Sequence, residues 1–141
     1  MAGSKSDYLE NKLLDHILGG VSHPYAALAH VYVALYTVTP SDSAAGTEVT
    51  QAGGTLYDRV EVDNNDTTWH DAAAGSKHND IAVTFPTAGA SWGSCVAFAI
   101  LDTAIGGASN ILYWGSITTP KTIGVGDTAE FAIGDIVITE D

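Results

Sequence analysis

Downstream of Gly19-Gly20 the sequence shows no sustained helical periodicity. It runs in short segments rich in Val, Ile, Tyr, Phe and Thr, each ended by glycine, proline or a cluster of Asn, Asp and Ser. Branched and aromatic residues favour a pleated, half-buried backbone, and the punctuation between them supplies turns. Strands are expected over 30–37, 57–62, 81–85, 91–101 and 111–117. A short edge strand is expected at 123–125, and a closing hairpin of 129–133 with 136–139 around Gly134-Asp135. Pro86 is expected to stop its strand, and Thr119-Pro120-Lys121 to turn the chain. At 30–37 both alternating faces are largely apolar, the pattern of a central strand covered on two sides. About seven or eight such strands with turn signals between them predict an all-β, antiparallel sandwich, jelly-roll-like or Ig-like.

One segment breaks this rhythm. Leu9, Leu13, Leu14, Ile17 and Leu18 recur at helical spacing. Ser4 or Ser6 can cap the helix, and Asp7 and Glu10 lie in its first turn, where the dipole favours acids. Gly19-Gly20 marks its end. An amphipathic helix over 6–18 follows, and with it an N-terminal helical arm at 1–20 ahead of a sandwich domain at 21–141. The apolar stripe must be covered, either by this chain's own sheet or by a neighbouring subunit. Leu9, Leu13, Leu14 and Ile17 are therefore candidate partner-binding residues.

Charge narrows the choice of partner. Seventeen acids stand against five bases, a net charge of −12 over 141 residues. The bases (Lys5, Lys12, Arg59, Lys77, Lys121) are scattered, whereas a phosphate backbone needs them clustered. Neither nucleic acid nor an anionic membrane surface is an expected partner. Strong acidity suits copies that repel one another until a specific surface mates.

Motifs for chemistry are sparse. Trp92-Gly93-Ser94-Cys95 and Trp114-Gly115-Ser116-Ile117 lack the second glycine of a nucleophile elbow. Gly124-Val125-Gly126-Asp127 has no lysine to make it a phosphate loop. The five histidines (His16, His23, His30, His70, His78) include no pair three or four residues apart, and Cys95 has no cysteine partner. No metal site, no cofactor and no catalytic residue is expected from these spacings. Asp63-Asn64-Asn65-Asp66-Thr67 opens like a calcium loop, but Thr68 and Ala74 occupy the positions of its glycine and bidentate glutamate, which excludes an EF-hand. A looser turn-type calcium site and an ordinary Asx-rich turn both stay open. Cys95, within an apolar run, is expected to be buried and inert, as are Trp92 and Trp114 at core or rim. Trp69, flanked by Thr68 and His70 in a polar loop, is the candidate exposed partner-binding anchor, able to meet a protein surface or to stack on a sugar.

Several stretches together resemble a family of small virion proteins of tailed bacteriophages. They are 4–16 at the start of the chain, 31–37, Val83-Thr84-Phe85-Pro86-Thr87-Ala88, Ser91-Trp92-Gly93, Leu112-Tyr113-Trp114-Gly115, and the ending from Gly126-Asp127-Thr128-Ala129 through Ile136-Val137-Ile138-Thr139. Such proteins are commonly labelled tail fibre proteins, and small β-sandwich chains of this size are also similar to head decoration, or cement, proteins. The resemblance implies a non-enzymatic protein made in the bacterial cytoplasm and ending in the virion. The leading expectation is a capsid decoration protein that binds the major capsid protein or other virion proteins, itself a homo-oligomer. The alternative is a tail or tail-fibre component contacting host surface glycans, and a small hydrolase is the remote third.

Overall fold

The computed structural model describes residues 2–18, 28–106 and 108–140. Its elements are β1 (Ala2–Lys5), α1 (Asp7–Leu18), β2 (His30–Val38), β3 (Thr47–Glu48), β4 (Val60–Asp63), β5 (Ser76–His78), β6 (Val83–Thr87), β7 (Gly93–Leu101), β8 (Ile111–Ile123), β9 (Thr128–Phe131) and β10 (Val137–Thr139). The large sheet has the order β3-β2-β7-β8-β1-β10-β5, with β4 also paired to β2, and β6 and β9 form a second sheet. The result is the all-β sandwich with an N-terminal helix that the sequence predicts. Among the described residues, pairing between the strands is antiparallel except between β1 and β10. That parallel pair arises because the segment preceding the helix enters the sheet: Ser4 and Lys5 pair with β8, while Ala2 and Gly3 pair with β10.

The core lies between the sheets. Val31, Val33 and Leu35 of β2, Phe98 and Ile100 of β7, and Val83, Phe85 and Phe131 of the small sheet are all buried there. Tyr57 and Trp92 meet edge to face at 5.3 Å, and Phe131 bridges Phe85 and Phe98 at 6.2 and 5.8 Å. These spacings and tilts suit aromatic quadrupoles. The opposite face of β2 and β7 buries Ala34, Tyr36, Ala97, Ala99 and Leu101 in a second cluster with Ile111 and Trp114. The strand at 30–38 is thus covered on both faces, as its doubly apolar pattern requires. Cys95 is 1% exposed, and burial pushes its thiol up to about 11. Such a thiol carries almost no thiolate at neutral pH.

Two prolines do not act as expected. Pro86 lies inside β6 and Pro120 inside β8. Each sits where the ladder is broken. The β6–β9 register shifts between Thr84 and Thr87, and Ala97 pairs with Ser116 while Cys95 pairs with Lys121, which leaves 117–120 bulged opposite Val96. A missing N–H costs nothing at such a position.

The expected C-terminal hairpin is also overturned. β9 pairs with β6 in the small sheet, whereas β10 pairs with β1 and β5 in the large one. Asn79, fully buried, explains the divergence. Its side-chain amide donates to the carbonyls of Ile81 and Ala132, both at 2.8 Å, and its Oδ1 accepts from Ile136 N–H at 2.9 Å. Its main-chain carbonyl accepts from Gly134 N–H at 2.9 Å. The corner between β9 and β10 is therefore held open by a residue from another loop.

Removing that side chain strips the buried Ile136 N–H and the part-buried Ile81 carbonyl of this partner, each at a cost of about 1–3 kcal/mol, while the Ala132 carbonyl keeps a second donor in Asp135 N–H at 3.1 Å. Asn79→Ala should lower the unfolding free energy by about 2 kcal/mol or more, read as a lower urea midpoint at unchanged slope. A midpoint equal to wild type would contradict this role.

Candidate functional site

The helix is tied to the sheet at its N-cap, Ser6. Ser6 N–H donates to the Leu112 carbonyl at 3.1 Å, its hydroxyl donates to the Ile111 carbonyl, and its Oγ accepts from Leu9 N–H at 3.4 Å as the N-cap. Capping by Ser6 orients the first turn, so Leu9 points into the core at 3% exposure and Leu13, one turn on, packs half-buried behind it. Beyond that the stripe diverges from the sheet. Leu14, Ile17 and Leu18 are 56%, 73% and 78% exposed. The glycines expected to end the helix lie outside the described residues. Of the four helical candidates, Leu9 and Leu13 serve this chain's own core, and Leu14 and Ile17 face outward with Leu18.

Beside the helix runs an apolar groove of about 490 Å³, lined by Leu9, Leu13, Val31, Trp69, Leu112 and Ile138 among others. Trp69 is not the exposed anchor expected of it: it is 5% exposed. Its backbone bridges to Asn79, and its N–H donates to the Asn65 carbonyl at 3.1 Å, which turns the ring inward. Its indole N–H is buried with no hydrogen-bond partner among the described residues. The polar flanks Thr68 and His70 describe the loop's surface and conceal an inward-facing ring between them.

Trp69 begins a hairpin. Ala73 and Ser76 exchange both backbone hydrogen bonds, at 2.9 and 3.0 Å, around Ala74 and Gly75, whose φ angles are +50° and +73°. Two successive positive φ values make a type I′ turn, whose twist matches that of the strands it joins. At Gly75 a Cβ would also lie 2.7 Å from the Glu140 carbonyl oxygen, so only glycine fits. The hairpin lays His70 against His78, with ring centroids 4.5 Å apart and planes within 16°. Asp80, two residues after His78 and so on the same face, reaches both. One carboxylate oxygen is 3.1 Å from His70 Nδ1 and the other 3.5 Å from His78 Nε2. One ligand-type atom from each residue lies within 4.8 Å of the other two. Local spacing gave no sign of this trio, because the histidines are eight positions apart and the turn that joins them starts with alanine in place of the usual Asn or Asp.

Other polar clusters are spent on structure. Asn65 Oδ1 accepts from Thr67 N–H at 2.9 Å and from its hydroxyl at 2.7 Å, and Asp63 is 2.9 Å from His30 Nδ1. These contacts describe an Asx turn and a strand-edge pair. Arg59 binds Glu48 through two bonds of 2.9 and 2.7 Å, and Tyr57 donates to the same carboxylate at 2.9 Å. Burial holds the Tyr57 phenol far above its ordinary range and pushes that of Tyr36, which feels the same Glu48 and Arg59 charges, up to about 12. Arg59 also donates to the Thr103 carbonyl at 2.7 Å, fastening the 102–110 loop. Among the described residues no helix is long and apolar enough to cross a membrane.

Compared with known families, residues 4–139 match the one described as Podophage GP4 fiber I protein gp80. No curated protein sequence matches the chain.

The split stripe makes a paired expectation. Leu9→Ala should cost about 2–4 kcal/mol of stability, as for other buried leucines. Ile17→Ser should stay within about 0.5 kcal/mol, as for exposed sites. Chemical denaturation of both variants checks this, and equal losses would show that α1 packs along its whole length.

Proposed function

The chain belongs to the Podophage GP4 fiber I protein gp80 family, a phage fibre-type structural family, and on that premise we propose that it is a non-enzymatic tail-fibre component held to a neighbouring virion subunit by the outer end of α1. The observation that carries this reading is the exposure of Leu14, Ile17 and Leu18 on a helix whose earlier turn is anchored in the core. Three large aliphatic side chains at adjacent turns form an apolar ridge, the kind of surface that a groove on another protein covers. The base of the helix is fixed by Ser6, so the ridge is presented without an ordering cost to the partner. The acidic remainder of the surface disfavours unspecific association between free copies.

The family description supports a fibre over the head-decoration role expected first. Contact with host glycans loses its candidate residue, since Trp69 is buried. Copy number separates fibre from head: quantitative mass spectrometry of purified virions should count the protein at fibre stoichiometry, far below that of the major capsid protein, and near-parity with the capsid lattice would restore the decoration reading.

The docking face has its own test. Burying Ile17 at an interface is worth about 1.5–3 kcal/mol, or about 10- to 100-fold in affinity. Ile17→Asp should therefore fold and melt like wild type while being incorporated into particles at least about tenfold less. Wild-type incorporation of that variant would remove α1 from the attachment surface.

A further inference from the structure

We propose that His70, His78 and Asp80 form a binding site for a divalent transition-metal ion of the zinc class. The three side chains come from one rigid hairpin. His70 N–H donates to the His78 carbonyl at 2.9 Å, and Asp80 N–H donates to the Thr68 carbonyl at 2.8 Å. His78 is paired to Val137 of β10, and the intervening Asn79 is locked in the core. The backbone that carries the ligands is thus fixed before any ion arrives, which is the preorganisation a metal site needs.

The spacing suits a small ion. Zinc binds nitrogen and carboxylate oxygen at about 2.0–2.2 Å, so two tetrahedral ligands lie about 3.4 Å apart. His70 Nδ1 lies 3.1 Å from one Asp80 oxygen and His78 Nε2 lies 3.5 Å from the other, separations close to that length. The rings are stacked with a nitrogen of each towards one carboxylate, and at 55% and 36% exposure both are open to an ion arriving from solvent. Two imidazoles and one carboxylate select zinc, nickel, copper or iron(II) over calcium and magnesium, which prefer all-oxygen shells. The acidic surround of a chain at net charge −12 favours cation entry. A three-ligand set leaves one coordination position to water on the solvent side. The ion would cross-link the two arms of the 68–80 hairpin and so stiffen the wall of the groove that Trp69 lines.

The site is independent of how the protein attaches to the virion, so the purified chain tests it. After chelator treatment, zinc chloride titrated into the protein by calorimetry should bind with one equivalent per chain and raise the melting temperature. Cobalt(II) should give visible d–d absorption of a low-coordinate nitrogen–oxygen site. His70→Ala and Asp80→Asn should each weaken zinc binding by about tenfold or more and abolish the thermal shift. Both substitutions are on the exposed side of the hairpin, and unchanged circular dichroism certifies the fold. His30→Ala, which removes a histidine from the separate pair with Asp63, should bind as wild type does. Absence of binding, or binding that survives both site substitutions, would overturn the proposal, and so would equal loss in His30→Ala.

Discussion

The chain leaves the small sheet at Phe131 and enters the large one at Val137, and the backbone groups opened by that crossing find their partners on Asn79. An antiparallel turn would have satisfied them within a hairpin. A crossing between sheets cannot, and a buried amide or carbonyl without a partner is expensive. A carboxamide supplies donors and an acceptor together, which neither an aspartate nor a leucine of similar size does. The same residue sits between His78 and Asp80 and opposite Trp69. The constraint that holds the corner open therefore also fixes the histidine–aspartate trio and one wall of the apolar groove. Fold and candidate site share a single polar staple.

The helix shows how one amphipathic stripe divides between a buried first turn and an exposed outer end. Its cap is a serine whose hydroxyl serves both the helix and the adjacent strand β8. That contact sets the entry angle, buries Leu9, and carries the later turns away from the sheet. Membership of a fibre-type family gives the outward-facing remainder a context: in the attachment proposed above, this apolar ridge, fixed at its base, is the surface that meets a neighbouring virion protein. The compact sandwich behind it provides rigidity, with a doubly buried central strand and an aromatic ladder through its core.

Much of the sandwich was legible in the sequence because its strands obey period two. Val31, Val33 and Leu35 alternate with Ala34 and Tyr36, and the strands at 30–38 and 93–101 follow directly. The helix was legible from Ser6, Asp7 and the leucine spacing. What failed was non-local. Pro86 and Pro120 read as breakers because sequence does not reveal which stretch of a strand lies at a break in its ladder. The last two strands read as a hairpin because Gly134-Asp135 is a good turn, and nothing nearby reveals that Asn79 will claim its backbone. Trp69 read as exposed from its polar neighbours, although a single inward residue in a polar loop is a common way to pin the loop down. His70, His78 and Asp80 are linked by a type I′ turn centred on Ala74-Gly75, a sequence too ordinary to announce it. The division of the leucine stripe was invisible for a related reason: helical spacing shows a face, and only the packed sheet shows how far along that face burial extends.

Attachment through the outer end of α1 is tested most directly by hydrogen–deuterium exchange on the protein in intact virions against the free protein. The account predicts slowed exchange within α1 on the particle, with the bulged, exposed stretch of β8 around Pro120 exchanging as it does in solution. Unchanged exchange in α1 together with new protection along β8 would contradict it and would place the contact on a sheet edge.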